Sequence, residues 1–490
     1  MILKQMLEEL EYTCVQGDEN LNVTELVYDS RKITEGSVFV CITGAIYDGH
    51  AYGNEAAHAG AVAIVAEKEI NTPPGVTVIR VADTRLALAY MSAAYFGHPA
   101  RKLTTIGITG TKGKTTTAYM IKSILENTGR KVGLMGTIET IIGDTVTPAG
   151  NTTPESYTIQ ETFARMAEAG CECVVMEVSS QGLKMSRVAG FTYDYGIFTN
   201  LGEDHIGGAE HTDFQDYLTS KSKLFSRCKL GIINIDDVHA REILKGHTCE
   251  VETFGFSEQA DIRATQVKLL QKPGFLGIEY RTEGKMELEV RMNIPGKFNV
   301  YNSLCGISLC RHFGVSNEEI IKALADIHVR GRVELVPVSK RFSVMLDYAH
   351  NAMSLESLLT TLKEYNPGRL VCIFGCGGNR SRSRRFEMGE VSSRLSDLTI
   401  VTSDNPRFEE PQDIVNDIIE GVKRGPGRYV EIVDRKEAIR YGIEHALEGD
   451  IIVIAGKGHE DYQEIKGVKH HMDDRELIRD AAAESRIMLI

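Results

Sequence analysis

Residues 104–136 read TTIGITGTKGKTTTAYMIKSILENTGRKVGLMG. A β-branched apolar run leads into a glycine-rich turn, a helical pattern follows the turn, and a second apolar run follows the helix. The same alternation returns later in RLVCIFG, EMGEVSSRLS and LTIVTSD. Alternating strand and helix patterns predict α/β architecture with parallel sheets.

The glycine-rich turn predicts a phosphate-binding loop. Glycines allow backbone N–H groups to approach an anion, and the start of the following helix adds the positive end of its dipole. The turn shortens the usual GxxxxGK[ST] spacing but keeps the required order of strand, turn and helix. Lys114 is expected to reach the β- and γ-phosphates of ATP, and the Thr115 hydroxyl to bind Mg²⁺. The loop residues predicted to bind ATP are Gly110, Thr111, Lys112, Gly113, Lys114, Thr115 and Thr116.

Length and composition limit the class of protein. The chain has 490 residues, and its 55 basic and 68 acidic side chains give a net charge of −13. The length predicts about three domains, which we place at 1–98, 99–330 and 331–490. The acidic balance argues against nucleic-acid binding, which needs a basic face.

The polar start MILKQMLEELEY and the absence of a long apolar run predict a cytoplasmic protein without membrane insertion. Ten cysteines without metal-site spacing predict reduced, buried thiols.

Further motifs follow the loop along nearly the whole chain. They are DSR at Asp29–Arg31, NTTP at Asn151–Pro154, MEVSSQGL at Met176–Leu183, TNLGEDH up to His205, GKFNVYN at Gly296–Asn302, GRVE at Gly331–Glu334, DYAH at Asp347–His350, GCGG at Gly375–Gly378, DNPR at Asp404–Arg407 and GKGHEDYQ at Gly456–Gln463. The ordered set resembles the Mur ligase family, the ATP-dependent amino-acid-adding enzymes of peptidoglycan synthesis. The resemblance implies an N-terminal UDP-binding domain, a central P-loop ATPase domain and a C-terminal Rossmann-like domain, and we expect a monomer.

The resemblance also implies two Mg²⁺ ions beside ATP. Thr115 and Glu177 are expected to hold one ion, and His205 to contact the second. Glu177 follows the apolar run CVVM, which places it at the C-terminal end of a buried strand, where ligands collect in open α/β sheets; His205 is expected to close the strand YGIFTNLGEDH. The carbamylated metal-binding lysine of the family aligns with Lys221, although the residues alone predict a solvated helix lysine. With Lys114, these residues form the expected catalytic set.

The same resemblance assigns contacts to the nucleotides and the sugar. Further ATP contacts are implied for Asn302, Arg332 and Asp347. Contacts to UDP-MurNAc-L-Ala-D-Glu are implied for Ser30, Asn151, Thr152, Thr153, Ser179 and Arg187. Arg187 is the natural anion partner in this set, because a guanidinium forms paired hydrogen bonds with carboxylate or phosphate.

The C-terminal motifs predict the choice of amino acid. Meso-diaminopimelate is lysine with a second carboxylate on its distal carbon, so its site needs a cation, and Arg407 follows a proline-stiffened turn. An unpaired buried charge costs several kcal/mol, which allows strong discrimination. The residues implied to bind meso-diaminopimelate are Arg380, Asp404, Asn405, Pro406, Arg407, Gly456 and Glu460. The arginine run at 380, 382, 384 and 385 is expected to bind an anion locally.

These motifs together imply a ligase that adds meso-diaminopimelate to the D-Glu carboxylate of UDP-MurNAc-L-Ala-D-Glu through an acyl phosphate. An L-lysine-adding member of the family is the nearest alternative, although such members generally lack the arginine of DNPR. A folate polyglutamate or cyanophycin-type ligase shares the loop but not the pairing of DNPR with GKGHE. A non-catalytic ATP-binding partner of wall synthesis also stays open, because this chain reads DHIGGAEHTDF where the family usually reads DHLDYHG.

Overall fold

The structure is a computed structural model that describes residues 1–44, 46–203, 206–207, 210–272 and 274–485. The chain forms two compact units, the first made of Met1–Asp261 with Leu304–Val315 and the second of Ile262–Ser303 with Ser316–Ile490. Parallel strands alternate with helices through most of both units, so the predicted α/β class is confirmed. The predicted domain boundaries at residues 98 and 330 stay predictions.

The first sheet lies in the N-terminal part of the first unit. Its strands are β1 (Thr13–Gln16), β2 (Leu26–Val27), β3 (Val38–Val40), β4 (Ala63–Ala66) and β5 (Thr77–Arg80), its helices are α1 (Leu3–Met6), α2 (Gly53–His58) and α3 (Thr84–Tyr95), and short 3₁₀ helices span Ser30–Lys32, Gly49–Tyr52 and Pro99–Lys102. The strand order is β1-β5-β4-β3-β2, with β1 antiparallel to β5 and the other pairs parallel. Helix α3 begins at Thr84 because the Asp83 carboxylate accepts two N–H groups of its first turn.

The second sheet of the first unit carries the glycine-rich loop. Its strands are β6 (Thr104–Thr109), β7 (Val132–Met135), β8 (Glu139–Ile142), β9 (Thr145–Pro148), β10 (Cys173–Glu177), β11 (Tyr193–Phe198), β12 (Cys228–Asn234) and β13 (Glu250–Gly255). The helices around it are α4 (Lys114–Asn127), α5 (Ser156–Glu168), α6 (Ser180–Lys184), α7 (Phe214–Ser222) and α8 (Ala240–Ile243), with a 3₁₀ helix at Lys223–Ser226. The strand order is β13-β12-β11-β6-β10-β7-β8-β9, and the β7–β8 and β8–β9 pairs are antiparallel.

Strand β6 lies inside this sheet, paired in parallel with β10 on one side and β11 on the other. Residues 105–109 are buried, which explains why the strand reads as a nearly continuous run of apolar and small residues. The glycine-rich loop therefore starts at the C-terminal edge of a central strand, as the sequence predicts. Strand β11 ends at Phe198, so the predicted extension of this strand to His205 is wrong, and His205 itself lies outside the described residues.

The second unit combines an antiparallel sheet with a mostly parallel one. Its first part contains the antiparallel strands β14 (Ile262–Lys272), β15 (Phe275–Gly284) and β16 (Leu288–Met292), followed by helices α9 (Lys297–Arg311, whose residues from Leu304 onward belong to the first unit) and α10 (Asn317–Ala325). Its second part contains β17 (Glu334–Leu335), β18 (Ser343–Asp347), β19 (Leu370–Phe374), β20 (Leu398–Val401), β21 (Arg428–Glu431) and β22 (Ile451–Ala455), in the order β17-β18-β22-β19-β20-β21.

Helices and a hairpin complete the second unit. The helices are α11 (Ala352–Lys363), α12 (Ser383–Leu395), α13 (Pro411–Val422), α14 (Arg435–Glu444) and α15 (Asp474–Glu484), and the hairpin consists of β23 (Tyr462–Ile465) and β24 (Val468–His471). Apart from β17, which pairs antiparallel with β18, the strands of the six-stranded sheet are parallel. Apolar side chains of β18, β19, β20 and β22 and of helices α14 and α15 form one core.

The cysteines behave as the sequence predicts. All ten are free thiols, and all except Cys14 are buried. Burial raises the pKa of Cys173 and of Cys372 to about 12, which keeps these thiols protonated at neutral pH. Among the helices that the structure describes, none is long and apolar enough to cross a bilayer.

Candidate functional site

The phosphate loop contains two positions, Gly110 and Gly113, at which any residue other than glycine would be strained. Gly113 directly precedes α4 with a φ of +86°, in the left-handed region that favours glycine. A Cβ on Gly110 would lie 1.9 Å from Thr199 Oγ1. Lys114 is folded back over the loop, and its Nζ donates to the carbonyl oxygens of Gly110 at 2.8 Å and Thr111 at 3.2 Å. The loop therefore has the compact form that the motif predicts.

The TNL motif holds this loop from the neighbouring strand end. The Asn200 side chain accepts the Lys112 N–H at 2.9 Å and donates to the Lys112 carbonyl at 3.0 Å. Thr199 Oγ1 donates to the same carbonyl at 2.7 Å. The Thr111 N–H donates to the Asn200 carbonyl at 2.9 Å. These bonds fix the loop backbone before any ligand is bound.

Glu177 is the last residue of β10, as predicted, and its carboxylate lies beside the loop. Thr115 Oγ1 lies 3.0 Å from Glu177 Oε2. Thr137 donates its backbone N–H to Oε1 and its hydroxyl to Oε2, both at 2.9 Å, and Thr152 Oγ1 lies 3.0 Å from the Thr137 hydroxyl. A hydroxyl and a carboxylate oxygen at hydrogen-bond distance are hard oxygen ligands, which suit Mg²⁺. The residues present therefore fit the predicted ion.

Lys221 is buried, with only 1% of its surface exposed, so the alternative of a solvated helix lysine is wrong. Its Nζ donates to the Gly110 carbonyl at 2.9 Å and lies 4.6 Å from the centre of the Tyr217 ring. The Tyr217 hydroxyl lies 2.9 Å from Thr111 Oγ1. Helix α7 thus brings two side chains onto the phosphate loop. The resemblance selects Lys221, but only the fold shows that its side chain faces the phosphate loop.

The segment in which this chain departs from the family pattern contains a buried histidine that the sequence analysis missed. His211 Nε2 lies 2.9 Å from the Ser180 hydroxyl. Asp216 accepts the Lys184 ammonium at 2.6 Å and the Thr212 N–H at 3.1 Å. Burial lowers the pKa of His211, against the opposing charge of Asp216. The altered sequence therefore still ties the start of α7 to α6.

Some of the predicted UDP-substrate residues gather beside Glu177. Thr153 Oγ1 donates to the Glu177 carbonyl at 3.0 Å and accepts the Ser179 N–H at 2.9 Å. The Ser179 hydroxyl also caps α6. Ser30 lies in the 3₁₀ helix that follows β2, and Asn151 is exposed. Within the part of the chain that the structure describes, no hydrogen bond joins Ser30 or Asn151 to this group.

Arg187 is already engaged by an acidic residue. Its Nε donates to Glu155 Oε1 at 3.1 Å, and its Nη1 to the Thr153 carbonyl at 3.0 Å. The same Glu155 oxygen accepts Arg85 Nη1 at 3.0 Å. Two guanidinium groups therefore share one carboxylate oxygen. The sequence analysis missed Glu155 and Arg85, because residues 70 positions apart in the chain form this pair.

The predicted ATP residues of the second unit lie at two places. Asn302 is buried on α9, where its Nδ2 donates to Asn299 Oδ1 at 2.9 Å. Asp347 is the last residue of β18, and its carboxylate accepts two backbone N–H groups at 2.8 Å. The Arg332 guanidinium lies 4.7 Å from the centre of the Tyr348 ring. Asp347 and Arg332 are therefore brought to one end of the parallel sheet, by the DYAH and GRVE motifs.

The DNPR and GKGHE motifs meet around Asn405. Its Nδ2 donates to Glu460 Oε2 at 2.8 Å, and its Oδ1 accepts Lys457 Nζ at 3.3 Å. A Cβ on Gly456 would lie 2.7 Å from Asp404 Oδ2, so these residues are in close contact. Burial raises the pKa of the Glu460 carboxyl, and the Asp404 charge adds to this effect. The Lys457 ammonium lies 3.6 Å from Glu460 Oε2, so the cluster combines two carboxyl groups with one buried ammonium group.

Arg407 lies next to this cluster, after Pro406. Its Nη1 donates to the Gly378 carbonyl at 2.7 Å, and its Nε to Glu464 Oε2 at 3.2 Å. Gly378 must be glycine, because a Cβ there would lie 2.0 Å from the Pro406 carbonyl oxygen. The GCGG motif therefore packs directly against DNPR. The sequence analysis missed Glu464, which no motif marks.

The arginine run after GCGG has a different role from the predicted one. Arg382 forms a two-point ion pair with Asp417, with distances of 2.6 and 2.8 Å. Arg385 is buried and pairs with both Asp417 and Glu409. The prediction that the run binds an anion is therefore wrong for these two side chains, which hold α12 to α13 and to the turn before it. Arg380 is exposed.

Comparison with known proteins adds independent findings. Residues 22–96 match the Mur ligase family catalytic domain, residues 108–310 the Mur ligase middle domain, and residues 331–458 the Mur ligase glutamate ligase domain. The UDP-N-acetylmuramoyl-L-alanyl-D-glutamate–2,6-diaminopimelate ligase of Clostridium perfringens is 43% identical, over 98% of this chain and 99% of the relative. The chain belongs to the Mur ligase family. As a family member it has the three-domain α/β fold and is an ATP-dependent amide-forming ligase.

Other Mur ligases extend the comparison. A ligase of the same name from Caldanaerobacter subterraneus is 41% identical, over 96% of this chain and 97% of the relative. A solved structure of a ligase of that name superposes with a TM-score of 0.74 at 28% identity, covering 99% of both chains. The MurF ligase of Thermotoga maritima, solved with ADP, has a TM-score of 0.57 at 18% identity over 94% of this chain and 97% of its own, a likeness that shows the fold alone.

Proposed function

We propose that this Mur ligase joins meso-diaminopimelate to the D-Glu carboxylate of UDP-MurNAc-L-Ala-D-Glu, with hydrolysis of ATP to ADP and phosphate. The observation that carries the proposal is the position of Arg407 next to the Asp404, Asn405 and Glu460 cluster. The distal carbon of meso-diaminopimelate bears one ammonium and one carboxylate group. A guanidinium beside two carboxyl groups complements both charges. The relatives that match nearly the whole chain carry the corresponding name.

The phosphate loop and its surroundings would supply the first step. The D-Glu carboxylate oxygen attacks the γ-phosphorus of ATP, the bond to ADP breaks, and an acyl phosphate forms. The Lys114 ammonium and the loop N–H groups would stabilise the phosphoryl charge. Bound Mg²⁺ would spread the same charge, with one ion held by Thr115 and Glu177 and a second by His205 and a carbamylated Lys221. In favour of the first ion is the 3.0 Å distance between the Thr115 and Glu177 side chains.

The amide bond would form in the second step. The amine of meso-diaminopimelate loses a proton and attacks the acyl carbon, a tetrahedral intermediate forms, and phosphate leaves. We propose that Ser30, Asn151, Thr152, Thr153, Ser179 and Arg187 bind the UDP-sugar dipeptide, and that Asn302, Arg332 and Asp347 contact ATP. In support, the Thr153 and Ser179 side chains lie against the strand end that carries Glu177. We also propose that the enzyme acts as a monomer in the cytoplasm, without nucleic acid.

The experiment is an amino-acid panel with UDP-MurNAc-L-Ala-D-Glu and Mg-ATP, read as phosphate release and tripeptide formation. Wild type is expected to use meso-diaminopimelate and to discriminate against L-lysine. Arg407→Ala is expected to lower kcat/KM for meso-diaminopimelate by about a hundredfold, since it removes a charged hydrogen-bond partner. Arg394→Ala is the matched control, because Arg394 forms an exposed ion pair with Glu356 on helix surfaces.

Each contrary result identifies an alternative. Preference for L-lysine in the panel would replace the proposal with a lysine-adding ligase. No turnover with any amino acid would indicate a non-catalytic ATP-binding protein. Unchanged kinetics of Arg407→Ala with meso-diaminopimelate would contradict the role of this arginine.

A further inference from the structure

Arg407, the residue that would recognise the distal carboxylate, is itself held by a carboxylate of the hairpin β23–β24. Its Nε donates to Glu464 Oε2 at 3.2 Å, and both side chains of this ion pair are 24% exposed. We propose that Glu464 is a positioning residue that sets the specificity for meso-diaminopimelate by orienting Arg407. This inference rests on the function proposed above and names a residue outside its motifs.

Residues of the DNPR loop form hydrogen bonds with both the N–H and the carbonyl group of Glu464. Its N–H donates to Asn405 Oδ1 at 2.9 Å. Its carbonyl accepts the Arg407 N–H at 2.9 Å, and the Lys466 N–H donates to the Arg407 carbonyl at 2.6 Å. The hairpin and the DNPR loop are therefore joined by three hydrogen bonds before the side chains of the ion pair are considered. The Glu464 carboxylate extends from a backbone with little freedom to move.

The backbone of Arg407 is equally constrained. Its φ is +54°, in the left-handed region that residues other than glycine rarely adopt. Such a conformation persists only where the surroundings hold it, and these sites often serve function. With the backbone fixed, the remaining freedom lies in the long side chain. Glu464 restrains the Nε end of that side chain, and the Gly378 carbonyl restrains Nη1.

These two contacts determine which edge of the guanidinium a ligand can use. A guanidinium has five N–H donors in a planar fork, and the contacts to Glu464 and Gly378 take one on Nε and one on Nη1. Three N–H groups, one on Nη1 and two on Nη2, are not used by these two contacts and can donate to a carboxylate. Without an acceptor at Nε, the fork can rotate about its terminal torsion and lose this orientation.

Kinetics of three variants test the inference, with phosphate release as the readout. Glu464→Ala removes the acceptor and is expected to raise KM for meso-diaminopimelate about tenfold, with kcat and the KM values for ATP and the UDP-dipeptide unchanged. Glu464→Gln keeps an acceptor oxygen of the same reach and is expected to restore KM to within about threefold of wild type. The matched control is Glu476→Ala, which removes the 2.7 Å contact between α15 and His471 on the other strand of the hairpin.

The outcomes separate the inference from the proposed function. Absence of meso-diaminopimelate turnover by wild type would overturn the proposed function itself. Turnover by wild type with an unchanged or lowered KM in Glu464→Ala would overturn only the role of Glu464. The role would also be overturned if Glu464→Gln were as impaired as Glu464→Ala, or if Glu476→Ala raised KM equally, because either result would indicate general loosening of the hairpin.

Discussion

At the scale of single residues, the position of the Glu177 carboxylate depends on the absence of a side chain at Gly136. A Cβ on Gly136 would lie 2.5 Å from Glu177 Oε1, closer than a carbon and an oxygen can approach. Gly136→Ala should therefore push the carboxylate away from Thr115 and Thr137. We expect kcat to fall about 10- to 100-fold, the usual effect of disturbing a group that orients a metal ligand.

Steady-state phosphate release and thermal unfolding check this expectation together. Gly150→Ala is the control, because a Cβ there meets open space. Full activity of Gly136→Ala would mean that the Glu177 carboxylate need not hold its position. A large loss of Tm would instead assign the effect to folding.

The buried His459 makes the stability of the protein depend on pH. Burial, reinforced by the charges of Arg332, Arg330 and Arg475, lowers the pKa of His459 from 6.5 to about 4. Between these two values the unfolded chain binds a proton that the folded chain does not, so the free energy of unfolding falls as the pH is lowered. The loss amounts to about 3 kcal/mol by pH 4 and is absent above pH 6.5.

Urea unfolding at pH 7.5 and pH 4.5, followed by circular dichroism, measures this loss. His459→Gln has no imidazole to protonate, so its stability should fall less over the same interval. A parallel fall in wild type and variant would show that other groups carry the acid sensitivity.

At the scale of secondary-structure elements, the local sequence pattern predicts the structure correctly where one continuous segment of the chain determines that structure. The strand β6, its glycine loop and α4 follow one another in the chain, so the single continuous segment 104–127 specifies them. Glu177 was also predictable, because an apolar run of strand length ends directly before it. The inward orientation of Lys221 was not, because the pattern of α7 does not reveal which of its faces the phosphate loop covers.

Pairings between distant segments explain the remaining differences. Glu464 and Arg407 are 57 positions apart, and their ion pair depends on how a hairpin returns to a loop. Arg382 and Arg385 read as a basic run, yet Asp417, which neutralises both, lies on the next helix. Composition shows that such charges exist but not which of them meet. The motifs therefore located the candidate site, whereas the fold supplied its supporting carboxylates.

At the scale of the whole molecule, the phosphate loop and the motifs proposed to bind the amino acid belong to different compact units. The phosphate loop, Glu177 and Lys221 lie in the first unit, and the DNPR and GKGHE motifs lie in the second. Each group is connected by hydrogen bonds within its own unit, as Asn200 with the loop and Asn405 with Glu460 illustrate. The phosphate loop should therefore bind Mg-ADP, and the DNPR and GKGHE motifs meso-diaminopimelate, when the other ligand is absent.

Hydrogen exchange measured by mass spectrometry tests this expectation peptide by peptide. Ligand binding to the folded state suppresses local opening, so exchange slows where the ligand is held. Meso-diaminopimelate alone should slow exchange in peptides covering residues 403–408 and 460–466, where the Arg407 and Lys466 amides are hydrogen-bonded, and leave residues 110–117 unchanged. Mg-ADP alone should slow exchange at residues 110–117. L-lysine at the same concentration is the matched control, since it lacks the distal carboxylate and should protect residues 403–408 much less. Equal protection by both amino acids would mean that Arg407 does not bind the distal carboxylate of meso-diaminopimelate.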